Sequence, residues 1–201
     1  MKAKGRLGAL HPKFFVGIGG SAGALTAYWA LLEALPPDTG MAFVIISHMS
    51  PSAHSELAII LSRHTKMPVI VASMKMPVQR NHVYVIPPDS DLFIENYTFK
   101  VLSPRTGGGK QIDLFFVSLA KAMRTRAIGI ILSGYNGDGT EGCKQIKAKG
   151  GITFAQDVSA QVPHMPLSAR DSGCVDFVMP PKKIAAKLKR LAAAIKLRND
   201  L

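Results

Sequence analysis

A serine, a histidine and an aspartate each follow an apolar, strand-like segment of this sequence. Together these three residue types can form a hydrolytic triad. Ser21 is the centre of GGSAG (residues 19–23), which matches the G-x-S-x-G pattern of a nucleophile on a tight turn from strand to helix. His48 follows the apolar residues 42–46, and Asp138 lies in a glycine-rich loop after residues 127–132. In such a triad the histidine removes the serine proton during attack on an ester carbonyl, and the aspartate holds the imidazole in one tautomer. The three residues therefore predict a serine hydrolase.

The glycine-rich segment around Ser21 has two other interpretations. GIGGSA (residues 17–22) fits the G-x-G-x-x-A fingerprint of dinucleotide-binding proteins, which also needs an acidic residue at the end of the next strand. That strand ends at His48, and Asp38 lies in the loop before it, which argues against a dinucleotide site. Ser21 also suits the N-cap of the following helix, where its side chain would bond only to the backbone.

His48 and Asp138 have structural alternatives as well. A histidine just past a buried strand is often a hydrogen-bonded structural residue, and an aspartate within NGDG (residues 136–139) suits a turn. Asp157, which follows the apolar residues 152–155, is a rival acid. The small residues around Asp138 favour it, because they allow a tight loop beneath the floor of an active site. The N–H groups at the start of the helix after Ser21 would then bind the oxyanion.

Apolar, β-branched runs alternate with helical patterns along the chain. Strands are expected at residues 14–18, 42–46, 69–72, 127–132, 152–155 and 175–179, and helices near 24–35, 55–64, 112–123 and 143–148. Short runs at 82–86, 92–95 and 99–102 predict an antiparallel hairpin excursion within residues 80–103. This alternation predicts a three-layer α/β fold, with a doubly wound, mostly parallel, Rossmann-like sheet in a single domain over residues 1–201. Because sites in such sheets lie at the carboxyl ends of the strands, the fold would bring the three candidate residues to one edge.

The chain of 201 residues carries a formal net charge of +12, which is concentrated at its two ends. Residues 1–13, expected to form a flexible arm, contain four basic side chains, and residues 182–201 contain seven basic and one acidic. Residues 14–181 hold 14 basic and 12 acidic side chains and are nearly neutral. Apolar residues at helical spacing predict a basic amphipathic helix over residues 182–198. The charged ends either form a solvated surface or steer the protein toward an acidic partner.

The composition argues against several other classes of protein. The basic ends lack the interleaved aromatic residues that stack on bases, so no nucleic-acid partner is expected. No apolar run approaches the ~18 residues of a transmembrane segment. The basic start lacks the apolar stretch of a secretory signal, which predicts a cytoplasmic protein. Cys143 and Cys174 form no CxxC pair, so reduced thiols and no metal or cofactor are expected.

The order of several motifs resembles that of one known family, the CheB-type chemotaxis protein-glutamate methylesterases, and specifically their catalytic domain. The resemblance runs from about residue 14 to about residue 191. It rests on the segments VGIGGSAG (16–23), LPPDTG (35–40), SHMSP (47–51), VYVIPP (83–88), ILSG (131–134), GDG (137–139), AQD (155–157), MPLSA (165–169) and VDFVMPP (175–181).

The resemblance implies a serine hydrolase that cleaves glutamate γ-methyl esters, releases methanol and also deamidates certain glutamines. The implied substrate is the methylated cytoplasmic domain of a chemoreceptor or a similar acidic helical protein. The family's triad falls on Ser21, His48 and Asp138. Tyr135 stands where the family usually has methionine or threonine, so Tyr135, together with Ala22, is a candidate for the oxyanion site or the ester pocket.

The resemblance also bears on how the activity is controlled. Family members usually carry a receiver domain before the catalytic domain, and some are fused to a methyltransferase domain. Only about 13 residues precede the first expected strand here, so a receiver or a methyltransferase is expected as a separate partner. The alternative function is a catalytically weak or inactive scaffold or binding module of the same fold in a signalling pathway.

Overall fold

Strands form at the apolar, β-branched runs of the sequence, and helices form where apolar residues recur at helical spacing. The structure is a computed structural model that describes residues 11–48 and 53–199. Its strands are β1 (Phe15–Gly20), β2 (Ala42–Ser47), β3 (Val69–Val71), β4 (His82–Val85), β5 (Asp91–Glu95), β6 (Thr98–Leu102), β7 (Ala127–Ile131), β8 (Ile152–Ala155) and β9 (Phe177–Val178). Its helices are α1 (Leu25–Glu33), α2 (Ala53–Ser62), α3 (Gln111–Met123), α4 (Thr140–Ala148), α5 (His164–Asp171) and α6 (Pro181–Asn199).

Seven strands form one sheet in the order β3-β4-β2-β1-β7-β8-β9, and neighbouring strands in it are parallel. Buried residues of α1, α2 and α6 pack on one face, and those of α3, α4 and α5 pack on the other. The predicted doubly wound, three-layer α/β architecture is therefore confirmed. The chain adds β2, β3 and β4 on one side of β1 and then β7, β8 and β9 on the other, so the ends of β2, β1 and β7 lie side by side at the switch point.

The hairpin excursion is shorter than the sequence predicted. β5 and β6 pair antiparallel as a separate two-stranded sheet, but β4 pairs parallel with β2 and β3 in the main sheet. The prediction that residues 82–86 belong to the hairpin was wrong. A short apolar run that alternates little has no local feature that distinguishes a buried parallel strand from a hairpin strand.

Helix α5 is not among the helices expected from the sequence. The helix begins at His164, directly after Pro163 and with Pro166 in its first turn. Proline is tolerated in a first helical turn because the N–H that it lacks has no intrahelical partner there. The two prolines therefore mark the start of a helix.

Close packing of α3 on β1 positions the start of α3 at the carboxyl edge of the sheet. A Cβ atom on Gly17 would lie 2.7 Å from Phe116 Cε1, and one on Gly19 would lie 2.5 Å from Ile112 Cγ2. Side chains at positions 17 and 19 are thus excluded by the helix, which accounts for part of the glycine pattern that resembled a dinucleotide fingerprint.

The two basic ends of the chain differ in how much of them is described. Helix α6 covers the predicted amphipathic segment, with Ile184 and Leu188 buried and Lys182 and Lys183 exposed. Residues 1–10 of the predicted arm lie outside the described residues, and the ring of His11 lies 4.2 Å from that of Tyr97. The limits of a single domain with a flexible arm stay a prediction. Among the helices of the described residues, none combines the length and apolar character required to cross a bilayer.

Candidate active site

Ser21 and His48 follow the last paired residues of two adjacent parallel strands. Gly20 of β1 lies opposite Ser47 of β2, and the N–H of His48 donates to the carbonyl of Gly20 at 3.4 Å. Neighbouring strands are about 4.8 Å apart, so the register places the two residues next to each other at the carboxyl edge. Both side chains are partly exposed.

His48 and Asp138 are in direct contact. His48 Nε2 lies 2.6 Å from Asp138 Oδ2, although the two residues are 90 positions apart. The side chain of Asp138 is only 2% exposed, and that of His48 is 16% exposed. Because an ionised carboxylate only accepts hydrogen bonds, Nε2 carries the proton in this pair. Nδ1 is then the ring nitrogen with a free lone pair.

The Asp138 carboxylate also caps α3. The N–H of Ile112 donates to Asp138 Oδ2 and the N–H of Asp113 donates to Asp138 Oδ1, both at 2.9 Å. The residue before the helix, Lys110, gives no side-chain cap. A negative charge at a helix N-terminus is stabilised by the unpaired N–H groups and the helix dipole, typically by about 0.3–2 kcal/mol. Asp138 is thereby fixed in a position from which it reaches His48.

Asp113 in turn caps α4, which begins just after Asp138. Asp113 Oδ1 accepts a hydrogen bond of 2.8 Å from the N–H of Gly142, and Gly139 at the helix start adopts a left-handed conformation with φ 93°. Burial raises the pKa of Asp113 above its ordinary value, and the nearby Asp138 charge adds to that rise, while the Gly142 N–H lowers it in part. Helices α3 and α4 therefore exchange carboxylate caps beside the candidate triad.

Ser133, to which the sequence analysis gave no role, connects three loops at the site. Its N–H donates to Gln156 Oε1 at 3.0 Å, and its carbonyl accepts from the N–H of Ser21 at 2.9 Å. Its hydroxyl donates to the carbonyl of Ala22 at 2.8 Å and accepts from the N–H of Val162 at 2.9 Å. Its place in the ILSG segment was the only indication available from the sequence, because the contacts join residues far apart in the chain.

The loop after β7 approaches the candidate nucleophile closely because residue 134 is glycine. A Cβ atom on Gly134 would lie 3.1 Å from Ser21 Cβ and 2.8 Å from Met165 Cε. The next residue, Tyr135, is 59% exposed, and its ring meets that of His164 edge-on with centroids 5.7 Å apart. Tyr135 thus stands at the mouth of the site.

Two backbone N–H groups near Ser21 have no protein acceptor among the described residues. They are the N–H groups of Ala22 and Tyr135. Ala22 follows Ser21 directly, and Tyr135 follows Gly134, which contacts Ser21. These are the two positions that the sequence analysis proposed for the oxyanion site or pocket.

The rival acid Asp157 and the histidine His64 make contacts away from the candidate triad. Asp157 Oδ1 accepts from the N–H and hydroxyl of Ser159 at 3.1 and 2.6 Å, closing its own turn. His64 pairs with Glu33 at 2.6 Å, near the ends of α1 and α2. No cluster of three or more metal-binding side chains is found among the described residues.

The end of β1 rests on a buried tyrosine. A Cβ atom on Gly20 would lie 2.5 Å from the hydroxyl of Tyr28. Burial raises the pKa of Tyr28 far above its ordinary value, and its contact with Ser47 offsets only part of that rise. Tyr28 therefore stays neutral beneath the strand ends that carry Ser21 and His48.

The raised pKa of Asp113 predicts a specific pH dependence of stability. A carboxyl whose pKa is higher in the folded than in the unfolded state stabilises the fold below its ordinary pKa, and this contribution is lost as the pH rises through the raised value. Asparagine at this position still accepts from Gly142 but carries no charge. We therefore expect Asp113→Asn to raise the melting temperature at pH 7 by about 1–2 °C, a small effect because solvent reaches the side chain.

Melting curves of the wild type and of Asp113→Asn between pH 3.5 and pH 7 test this expectation, with the exposed Asp171→Asn as the control. The advantage of Asp113→Asn should grow with pH and vanish near pH 3.5. If Asp113→Asn is less stable than the wild type at pH 7, the stabilisation of α4 by the Asp113 charge outweighs the cost of burying that charge.

Comparisons with known proteins agree with this geometry. The family model described as CheB methylesterase matches residues 16–188. A relative from Leptospira interrogans is 33% identical over 178 residues, which cover 87% of this chain and 92% of that protein. A protein-glutamate methylesterase/protein-glutamine glutaminase of Burkholderia lata is 35% identical over 179 residues, which cover 86% of this chain and 52% of that protein.

A solved structure is similar over nearly the whole chain. The Thermotoga maritima CheB methylesterase catalytic domain superposes with a TM-score of 0.82 and 28% sequence identity, covering 90% of this chain and 100% of that one. The fold, the matched family model and the relatives above 30% identity agree. This chain belongs to the CheB methylesterase family.

Proposed function

We propose that this chain is a protein-glutamate methylesterase in which Ser21 is the nucleophile, His48 the general base and Asp138 the residue that orients His48. The 2.6 Å contact between His48 Nε2 and the buried Asp138 carboxylate carries the proposal. A short bond from a histidine to a buried acid is the arrangement that prepares an imidazole to accept a proton from serine.

The orientation of the imidazole defines the path of the proton. Nε2 donates to Asp138, so Nδ1 would accept the Ser21 hydroxyl proton as the oxygen attacks the γ-carbonyl carbon of a glutamate methyl ester. The carbon becomes tetrahedral and its carbonyl oxygen becomes negative. Asp138 stabilises the imidazolium formed in this step without taking the proton itself.

The N–H groups of Ala22 and Tyr135 would bind the oxyanion. Donors that are already in place, aimed at the oxygen on which charge develops, contribute roughly 3 kcal/mol each to transition-state stabilisation. The hydroxyl of Ser133 holds the carbonyl of Ala22, and the glycine at 134 lets Tyr135 approach. Both donors therefore have support from the packed loops around them.

Collapse of the tetrahedral intermediate would release methanol. The imidazolium returns its proton to the departing methoxide oxygen, which leaves a glutamyl ester on Ser21. A water molecule then attacks this ester with His48 as base, which regenerates the serine and a free glutamate carboxylate. Glutamine would follow the same route with ammonia as the leaving group, in keeping with the glutaminase name of the Burkholderia lata relative.

The substrate we propose is an acidic helical protein, such as the methylated cytoplasmic domain of a chemoreceptor, which would place the reaction in the cytoplasm. Helix α6 supports this choice, because its exposed Lys182 and Lys183 lie at its start, beside Gln156 and Thr26 near the catalytic edge. Carboxylates that neighbour the esterified glutamate would be attracted to this end of the helix.

Methanol release from a carboxyl-methylated chemoreceptor cytoplasmic fragment tests the reaction and its nucleophile together. We expect the wild type to release methanol and Ser21→Ala to lose about 10⁶-fold in kcat, which is below detection. Ser62→Ala, which removes an exposed hydroxyl at the end of α2, should keep full activity. Wild-type activity that persists in Ser21→Ala would refute the proposed nucleophile, and a wild type that releases no methanol would favour the scaffold alternative.

The proposed attraction of an acidic substrate has a separate test, because α6 offers matched pairs of basic residues at different distances from the site. Lys182 and Lys183 lie near the catalytic edge, whereas Lys189 lines a cavity with Arg63 and Glu33 near the ends of α1 and α2. We expect Lys182→Ala/Lys183→Ala to lower kcat/KM roughly threefold to tenfold at low salt. The loss should shrink at 0.5 M salt, where charges are screened within a few ångströms.

The matched control is Lys189→Ala/Arg190→Ala, which removes the same charge farther along the helix and should have a clearly smaller effect. Equal losses in the two double variants would contradict local guidance of the substrate. An unchanged kcat/KM in both would contradict electrostatic attraction by α6 altogether.

A further inference from the structure

Asp91, at the start of β5, is a fully buried carboxylate outside the candidate triad. It is 0% exposed, and no lysine or arginine within the described ranges forms an ion pair with it. Its Oδ2 accepts from the N–H of Thr106 at 2.7 Å, the hydroxyl of Thr106 at 3.1 Å and the N–H of Gly107 at 3.0 Å. Its Oδ1 accepts from Gln111 Nε2 at 3.1 Å. A buried charge of this kind is tolerated only because hydrogen bonds replace its water.

The groups that donate hydrogen bonds to Asp91 lie just before α3 and at its first residue. Thr106 and Gly107 belong to the loop before the helix, and Gln111 is its first residue. A Cβ atom on Gly107 would lie 2.5 Å from Leu114 Cδ1 and 3.0 Å from Asp91 Oδ1, so the loop is packed between the carboxylate and the helix. Asp91 therefore fixes both the loop and the first side chain of α3.

The next two residues of α3 hold the proposed catalytic acid. The N–H groups of Ile112 and Asp113 donate to Asp138, whose Oδ2 also contacts His48. The Ile112 side chain would lie 2.5 Å from a Cβ on Gly19 and 2.7 Å from one on Gly139. A displacement of the first turn of α3 is consequently transmitted to Asp138 and to the end of β1.

We propose that Asp91 is a positioning residue for the hydrolysis: its carboxylate holds the loop at residues 106–107 and Gln111 so that the first N–H groups of α3 place Asp138 against His48. The proposal rests on the function proposed above. Asp91 does not touch the reacting atoms, and its effect is carried by hydrogen-bond geometry. Because Asp91 acts on the position of Asp138 and lies outside the loops that carry Ser21, Ala22 and Tyr135, removal of its carboxylate should lower kcat more than it changes KM.

The side-chain amide of Gln111 makes it possible to separate the hydrogen-bond geometry of Asp91 from its charge. Within the described residues, Gln111 Oε1 is buried and has no hydrogen-bond partner. In Asp91→Asn the asparagine oxygen can keep Thr106 and Gly107, and its amide can donate to Gln111 Oε1 once the Gln111 amide rotates by half a turn. Asp91→Ala removes all the acceptors and leaves buried N–H groups unpaired.

Steady-state kinetics and ¹H NMR of the full chain test the proposal. We expect Asp91→Ala to lower kcat about 10- to 100-fold, the range for a small misplacement of catalytic groups, with KM changed less than about twofold. Asp91→Asn should recover most of this loss. The downfield proton between His48 Nε2 and Asp138, assigned by its absence in Asp138→Asn, should be lost or shifted in Asp91→Ala and kept in Asp91→Asn.

The matched control is Asp89→Ala, which removes a partly exposed carboxylate two residues away that pairs with Arg105 at 3.4 Å. It should leave kcat and the proton resonance unchanged. The proposal is overturned if folded Asp91→Ala keeps the His48 resonance and the kcat of Asp89→Ala, or if Asp91→Asn is as impaired as Asp91→Ala. The NMR result stands without turnover, so it tests Asp91 even if the methylesterase activity fails its own test.

If the Asp91→Ala variant does not fold, the Gln111→Met variant is tested in its place. This change removes only the link between Asp91 and α3 and keeps a similar side-chain volume. A lower kcat with an altered His48 resonance supports the proposal, whereas an unchanged resonance and kcat in Gln111→Met overturn it.

Discussion

The geometry of this site depends on the contacts that the Asp138 carboxylate makes. The carboxylate accepts from two N–H groups at the start of α3 and contacts His48 at 2.6 Å, while being almost fully buried. A buried carboxylate without these partners would cost several kcal/mol, so the start of α3 and the ring of His48 compensate for its burial. The same contacts that stabilise the charge also orient the imidazole.

The loops around Asp138 are held by contacts between residues far apart in the chain. Asp113, in the first turn of α3, caps α4, and Asp138 caps α3 from just before α4. Ser133 joins the loops that follow β1, β7 and β8. Catalytic groups must be held within fractions of an ångström, and mutual capping of this kind supplies that precision without contributing residues to the chemistry itself.

The mostly parallel sheet and the candidate triad could be predicted from the sequence because both follow from general rules. Apolar runs alternating with helices imply a parallel sheet, and side chains that follow its strands meet at one edge. This rule brought His48 together with Asp138, and it placed Ser21 beside His48 through the pairing of β1 with β2. The glycines near Ser21 were ambiguous, since packing against Phe116 and Ile112 requires small residues there for reasons unrelated to a ligand.

Other features could not be predicted because they depend on long-range contacts. Nothing local distinguishes Asp113 or Ser133 from other polar residues beside a helix or strand, and β4 has no feature that separates it from the hairpin that follows. Helix α5 was not among the expected helices, although its two prolines fit the start of a helix. The supporting residues of the site were therefore harder to identify than the residues of the candidate triad.

Covalent labelling of the protein with a fluorophosphonate is the most direct test of the central claim that Ser21 is activated by His48 and Asp138. Such a reagent phosphonylates an activated serine without requiring the natural substrate, and peptide mass spectrometry locates the adduct. We expect one adduct on the peptide that contains Ser21, and none on that peptide in His48→Ala. Labelling at another serine, or equal labelling of Ser21 with and without His48, would contradict the claim.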